Sequence, residues 1–321
     1  MTPSQQANGQ QAKPGKPVLT IGTRGSPLAL AQAQETRSRL LAAHAGLNEA
    51  DIAIRVIKTT GDRIQDRALS ESGGKGLFTK EIEEALADGG IDLAVHSMKD
   101  MPTQLPAGLV IAAYLPREDV RDVLLAMRPT GLAELPRGAT VGTASLRRKS
   151  FLLARRPDLE VVTFRGNVQT RLRKLEDGVV AATFLALAGL HRLNIAPPGM
   201  RVLEAEEMLP AVAQGAIGIE CRDGDVRVLG FLAPLDDAAT RCRVEAERAL
   251  LAVLDGSCRT PIAALAELGD GSMRLRGAIA RPDGSELIEI ERSGAVADGV
   301  AMGIDAGAEL RRRIGPDFFT P

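Results

Sequence analysis

The chain contains no tryptophan and one tyrosine, Tyr114, and aromatic residues make up 2% of its 321 positions. Few rings are therefore present for stacking single-stranded bases. Neither sign of charge dominates: 40 Lys and Arg oppose 41 Asp and Glu, a net charge of −1. With no bulk attraction to nucleic acid or to a membrane surface, any electrostatic function must come from local clustering. Three cysteines, an odd number without metal-type spacing, suit a reducing cytoplasm better than a disulfide framework. No apolar run approaches the length of a membrane span. Residues 1–16 are polar, carry Pro and Gly and have no apolar h-region, so they read as a disordered tail and not as a signal peptide.

What is present is a 45% hydrophobic content arranged in short apolar runs, each followed by a capping residue and a helical pattern. Residues 17–24 read as a strand ending at Gly25-Ser-Pro27, where Ser26 is an N-cap and Pro27 a first helical residue. Strands at 52–58 and 91–95 follow, with an amphipathic helix at 79–88 between them. The long polar stretch 59–76 reads as either disorder or a lid over a site. Its Gly73-Gly-Lys-Gly76 lacks the spacing of a phosphate-binding Walker loop. Further strand–cap–helix units occupy 141–192, which predicts parallel sheets with helices on both faces. Residues 216–221 read as a strand returning to the first sheet. The last third changes character: a helix at 237–254, three alternating strands joined by Asp270-Gly271 and Asp283-Gly284 turns, and a final helix.

Two places concentrate chemistry. The run 91–95 stops at His96-Ser97-Met98-Lys99-Asp100, before Pro102. Charges at the carboxyl end of a core strand sit where open α/β sheets bind ligands, although the same residues also suit a solvated helix start. Between Val141 and Glu176, nine basic residues face three acidic ones. Arg147, Arg148, Arg165 and Arg171 follow strand ends, where planar guanidinium forks can grip carboxylate or phosphate; Arg156, Arg173 and Lys174 read as surface solubilisers. A small polyanion is the ligand this pattern favours. Of the cysteines, Cys221 and Cys242 fall at core positions. Cys258, in a loop past a helix end, reads either as an inert loop cysteine or as a thiol that attaches one group once.

Seven motifs in order resemble the hydroxymethylbilane synthase (porphobilinogen deaminase) family: Gly22-Thr-Arg-Gly-Ser-Pro-Leu-Ala-Leu30, Gly73-Gly-Lys-Gly-Leu-Phe78, Ala94-Val-His-Ser-Met-Lys-Asp-Met-Pro102, Val141-Gly-Thr-Ala-Ser-Leu-Arg-Arg148, Arg165-Gly-Asn167, Ala211-Val-Ala-Gln-Gly-Ala216 and Gly256-Ser-Cys258. The resemblance implies an α/β fold with two lobes like those of type II periplasmic binding proteins, built on mixed, mainly parallel sheets. A small α+β C-terminal domain with a three-stranded antiparallel sheet would complete it. Expected boundaries are 17–115 with 216–233 for domain 1, 116–215 for domain 2 and 234–321 for domain 3. The implied reaction joins four porphobilinogen molecules head to tail, releasing ammonia each time, on a dipyrromethane cofactor bound covalently through Cys258.

By the same resemblance, Ser97, Lys99, Asp100, Ser145, Arg147, Arg148 and Arg171 would bind the cofactor. Arg24, Ser26, Arg165, Arg171 and Arg192 would bind incoming substrate. Asp100 would be catalytic, stabilising the cation left when ammonia departs, and His96 structural. No metal, nucleic-acid or membrane partner is expected, and the family implies a cytoplasmic monomer. Ala144, His191, Ser257 and Arg259 depart from the commoner family pattern. Competing readings are a two-lobed polyanion-binding protein without catalysis, and a cysteine hydrolase pairing Cys258 with His96.

Overall fold

The computed structural model describes residues 17–63, 78–256 and 260–319. The first part of the chain forms β1 (Leu19–Thr23), α1 (Pro27–Ala43), β2 (Ile52–Val56), α2 (Thr60–Arg63), α3 (Lys80–Ala87), β3 (Leu93–Ser97) and β4 (Leu109–Tyr114). The second forms β5 (Asp122–Ala126), β6 (Thr140–Gly142), α4 (Leu146–Arg155), β7 (Glu160–Val162), α5 (Val168–Glu176), β8 (Ala182–Ala186), α6 (Leu187–Arg192) and β9 (Met200–Val202). Then come β10 (Ile217–Arg222), α7 (Val226–Leu232) and α8 (Ala238–Val253), followed by β11 (Ile262–Gly269), β12 (Ser272–Ala280), β13 (Leu287–Ala295) and α9 (Gly299–Arg313).

Two five-stranded sheets share one plan. The first has the order β2-β1-β3-β10-β4 and the second β7-β6-β8-β5-β9. In each, three parallel strands adjoin a reversed strand, and a fifth strand pairs antiparallel to it; in the first lobe the reversed strand, β10, returns only after the whole second lobe. The lobes expected from the sequence are therefore present, with parallel and antiparallel neighbours in equal number. The second sheet depends on β5, which the sequence reading passed over. Val123, Leu124 and Leu125 are fully buried there, each contributing about 1.5–3 kcal/mol of apolar burial.

Two crossovers join the lobes, β4 to β5 and β9 to β10, and they run side by side. Leu115 donates its N–H to Ile217 O at 3.0 Å and Glu118 to Gly215 O at 3.2 Å. Gly215 has φ +85°, and a Cβ there would lie 2.4 Å from the Glu118 carbonyl oxygen. Only glycine fits so close an approach at that backbone angle.

The third sheet, β11-β12-β13, is antiparallel throughout and packs on α8 and α9. Its apolar cluster includes Val244, Leu250, Leu275 and Leu310, and also Met98 and Met101 from the first lobe. The third unit is thus seated directly on the turn that follows β3. A buried ion pair locks the same junction. Arg117, on the first crossover, forms a bidentate bridge to Glu247 of α8 at 2.6 and 2.9 Å, with both side chains at most 1% exposed. The Glu247 carboxylate also accepts from Ala213 N on the second crossover and Ala266 N on β11.

One surface expectation fails. Arg156 donates to Leu132 O and Leu135 O at 2.6 and 2.8 Å and pairs with Asp158. It clamps the 132–135 turn through two backbone carbonyls. Lys174 likewise donates to Arg165 O at 3.2 Å, whereas Arg173 is exposed as expected. Among the described residues, no helix is long and apolar enough to cross a membrane.

Candidate active site

Helices α1, α4 and α5 each begin just after a strand, with Ser26, Ser145 and Asn167 as N-caps. The cap hydroxyls of Ser26 and Ser145 accept from Ala29 N at 3.2 Å and Arg148 N at 3.4 Å. Each such cap contributes about 1 kcal/mol to its helix. It also turns the remaining N–H groups of the first turn toward the strand ends, a setting that favours anions. At Gly166, φ is +132° and a Cβ would fall 2.8 Å from that of Thr170. The Arg165-Gly166-Asn167 turn consequently admits no side chain at its centre, and Arg171 Nε donates to the Gly166 carbonyl at 2.8 Å.

In the first lobe, Arg24, Ser26, Gln32, Phe78, Ser97 and Asp100 line a cavity of about 70 Å³. The Arg24 guanidinium lies 4.1 Å from the centre of the Phe78 ring, a cation–π distance. Ser97 exchanges hydrogen bonds with the Gln32 side chain at 2.8 and 3.2 Å, which fixes the strand end against α1. Gln32 carried no signal in the sequence beyond its place on the buried face of α1. His96 is buried and its Nε2 lies 2.9 Å from Glu220 Oε2 on β10. That engagement supports a structural His96 and removes the partner that a cysteine hydrolase would need.

The second lobe presents cations. Arg147 and Arg148 are 4% and 6% exposed and converge on Asp122, at 2.6 and 2.8 Å. Their other terminal nitrogens donate to Leu209 O and Phe184 O. The sequence predicts both as ligand contacts; the structure makes them first a buried triad with Asp122, which the sequence pattern does not single out. An Asp heading the apolar run of β5 was the available clue. Gln214, in the Ala211–Ala216 motif, completes the join: its Nε2 donates to Asp122 Oδ1 at 2.8 Å and its Oε1 faces Lys99 Nζ at 3.4 Å. Burial lowers the Asp122 carboxyl's readiness to ionise, but the two guanidinium charges outweigh it and hold its pKa well below the usual carboxylate range.

Positive charge remains in excess. Lys99 is pushed down to about 8, first by burial and then by Arg148, with Asp100 opposing. Arg171 is pushed down to about 10 by burial, Arg148 and Arg165, again against Asp100. Among the described residues neither Lys99 nor Arg171 has a salt bridge, and the buried Nε atoms of Arg147 and Arg148 have no hydrogen-bond partner. Asp122 supplies one negative charge for two guanidiniums, and Asp100 opposes the depression of both Lys99 and Arg171. A ligand with several carboxylates matches what these groups lack.

Lys99 has a measurable consequence. Its folded pKa lies below the unfolded value, so between about pH 8 and 10.4 the folded chain binds fewer protons and its stability rises with pH. In a Cys258→Ser variant, NMR titration of isotopically methylated Lys99 is expected to give a midpoint near 8. A midpoint at the ordinary lysine value would contradict the crowded, buried setting.

The remaining site residues are placed as follows. Arg192 donates to Gly215 O at 2.9 Å and pairs with Glu35 of α1 at 3.4 Å, so it bridges the lobes. His191 Nδ1 lies 3.0 Å from Glu118 Oε1 on the crossover. Cys258, with Ser257 and Arg259, lies outside the described residues, as do the 64–77 segment with Gly73 to Gly76 and the 1–16 tail. Cys221 is buried, and burial pushes its thiol up to about 11.

Two lobes of matching sheet topology, a cation-rich cleft between them and a third unit clasping both crossovers define a two-lobed α/β protein built to hold a polyanion. A family model described as "Porphobilinogen deaminase, dipyromethane cofactor binding domain" matches residues 19–230, and "Porphobilinogen deaminase, C-terminal domain" matches residues 241–312. A porphobilinogen deaminase of Paracoccus denitrificans is 61% identical over 97% of this chain and 98% of its own. A chloroplastic porphobilinogen deaminase of Oryza sativa subsp. japonica is 57% identical over 94% and 86%. A solved periplasmic aliphatic sulphonate binding protein from Escherichia coli aligns over 72% of this chain and 67% of its own, at 18% identity and a TM-score of 0.37. The chain belongs to the porphobilinogen deaminase family.

Proposed function

We propose that this chain condenses four porphobilinogen molecules head to tail into hydroxymethylbilane, with ammonia leaving at each addition. The observation that carries this reading is the cation excess around Asp100. Each porphobilinogen brings an acetate and a propionate, so a growing chain accumulates carboxylates to match Lys99 and Arg171, which have no salt bridge among the described residues, and the second positive charge of the Arg147–Arg148 pair, which the single Asp122 carboxylate leaves unmatched. Charge-assisted hydrogen bonds contribute about 1.5–3 kcal/mol each, enough in number to retain an oligomer between additions.

Ser97, Lys99, Asp100, Ser145, Arg147, Arg148 and Arg171 would hold a dipyrromethane cofactor, joined as a thioether to Cys258. The unpartnered Nε atoms and the depressed Lys99 and Arg171 fit such a group. When bound, it supplies the pyrrole carbon from which the chain grows. Arg24, Ser26, Arg165, Arg171 and Arg192 would orient incoming substrate by its carboxylates. Asp100 carries the reaction: loss of ammonia leaves positive charge on the substrate, and a carboxylate fixed beside it stabilises that charge as it develops. That role, stabilising developing charge, is the one assigned to Asp100. The chain would act as a cytoplasmic monomer, with 17–115 plus 216–233, 116–215 and 234–321 as its domains.

Intact mass spectrometry with Ehrlich's reagent tests the assignment. Protein from cells that make porphobilinogen is expected to carry a dipyrromethane adduct and to colour; Cys258→Ser is expected to do neither. Unmodified, colour-negative parent protein would favour the non-catalytic polyanion binder instead.

A further inference from the structure

Helix α8 carries two adjacent charges that face different partners. Glu247 grips the crossovers and β11, as described. Arg248 reaches the other way, into the first lobe. Its NH2 donates to Pro102 O at 2.6 Å and to Thr103 O at 3.4 Å, and its NH1 donates to Met101 O at 3.4 Å. Among the described residues it has no carboxylate partner, and burial lowers its pKa. A half-buried guanidinium that donates to backbone carbonyls gives up part of its hydration, a cost best justified where those carbonyls need fixing.

These carbonyls come directly after Asp100. The Met98–Asp100 turn is a single 3₁₀ turn closed by Met101 N donating to Met98 O at 3.2 Å. Pro102 has no N–H, so the segment cannot extend that pattern. Met98 and Met101 set the depth of the turn by packing in the apolar cluster shared with α8. Apolar packing is non-directional; three carbonyls held by one rigid fork fix the orientation.

We propose that Arg248, contributed by the third domain, is a positioning residue that sets the direction in which the turn presents the Asp100 carboxylate. This rests on the role of Asp100 given above. It also links the helix leading into the cysteine loop to the reacting group, since α8 ends at Val253, five residues before Cys258.

The test is steady-state kinetics of the cofactor-loaded Arg248→Met and Arg248→Lys variants, made in the parent and in Asp100→Glu, with loading verified by intact mass. A carboxylate displaced by about 1 Å can lose about a hundredfold in rate. Arg248→Met is therefore expected to lower kcat by about ten- to a hundredfold with KM changed by less than about twofold. Arg248→Lys, which keeps a charged donor for Pro102, is expected to recover part of the loss. In Asp100→Glu, where the carboxylate is already displaced, the further loss is expected to shrink to about twofold or less. An unchanged kcat in Arg248→Met, or the same factor lost in both backgrounds, would overturn the proposal. Should Arg248→Met not fold, Arg248→Lys carries the same two-background comparison. Asp100→Asn alone separates the two readings: normal turnover there defeats the role of Asp100, while impaired turnover beside a normal Arg248→Met defeats only the positioning.

Discussion

Asp100→Asn is expected to keep the fold and the covalent adduct while losing about a hundred- to a thousandfold in turnover, the usual scale for removing one preorganised electrostatic contact. Asparagine is nearly isosteric, and the turn that carries it is held by the packing of Met98 and Met101 and by the Arg248 hydrogen bond to Pro102 O. What changes is charge. Asp100 opposes the depression of both Lys99 and Arg171, so its removal also leaves Lys99 titrating below its parental midpoint near 8. The paired readouts make the result specific: single-turnover kinetics for the chemistry, and the Lys99 titration for the charge. Near-normal turnover with a lowered Lys99 midpoint would leave Asp100 as a mere counter-ion.

Glu247→Gln is expected to have the largest effect on stability. It leaves the Arg117 guanidinium buried without its anion at the point where both crossovers and the third domain meet. Breaking such a pair from one side costs about 3–5 kcal/mol. Removing both charges, as in Arg117→Met with Glu247→Leu, recovers part of this but not all. The carboxylate also receives the N–H groups of Ala213 and Ala266, and two buried donors would be left unmet. Denaturant titration of the single and double variants measures the difference. A single variant as stable as the parent would mean that the junction is held by apolar packing alone.

Much of this was legible in the sequence, and the reasons are specific. Repeated strand–cap–helix units disclosed the lobes because Ser26, Ser145 and Asn167 mark helix starts wherever they fall in the chain. Asp100, Lys99 and the arginines were visible as polar groups at the ends of apolar runs. Their partners were not. Asp122, Gln214, Glu247 and Arg248 lie 22 to 148 residues from Asp100 in sequence, counting from their numbers, and only the packing of the second lobe, the crossovers and α8 supplies them. Arg147 and Arg148 show the same limit from the other side. Their position promised an open ligand contact, whereas a carboxylate from β5 meets both before any ligand can.

The reversed strand in each lobe also bears on how the chain is made. Synthesis delivers all five strands of the second sheet by Val202, so that lobe can close its hydrogen-bond ladder early. The first lobe cannot. β4 has its only described strand neighbour in β10, which arrives with Ile217 to Arg222, more than a hundred residues after β4 ends at Tyr114. Until then β4 and the free side of β3 are unpaired edges of the kind that invite aggregation. The lobe that starts first from the ribosome is thus the one that finishes later, and its completion waits on a strand that must pass back from a neighbour already folded.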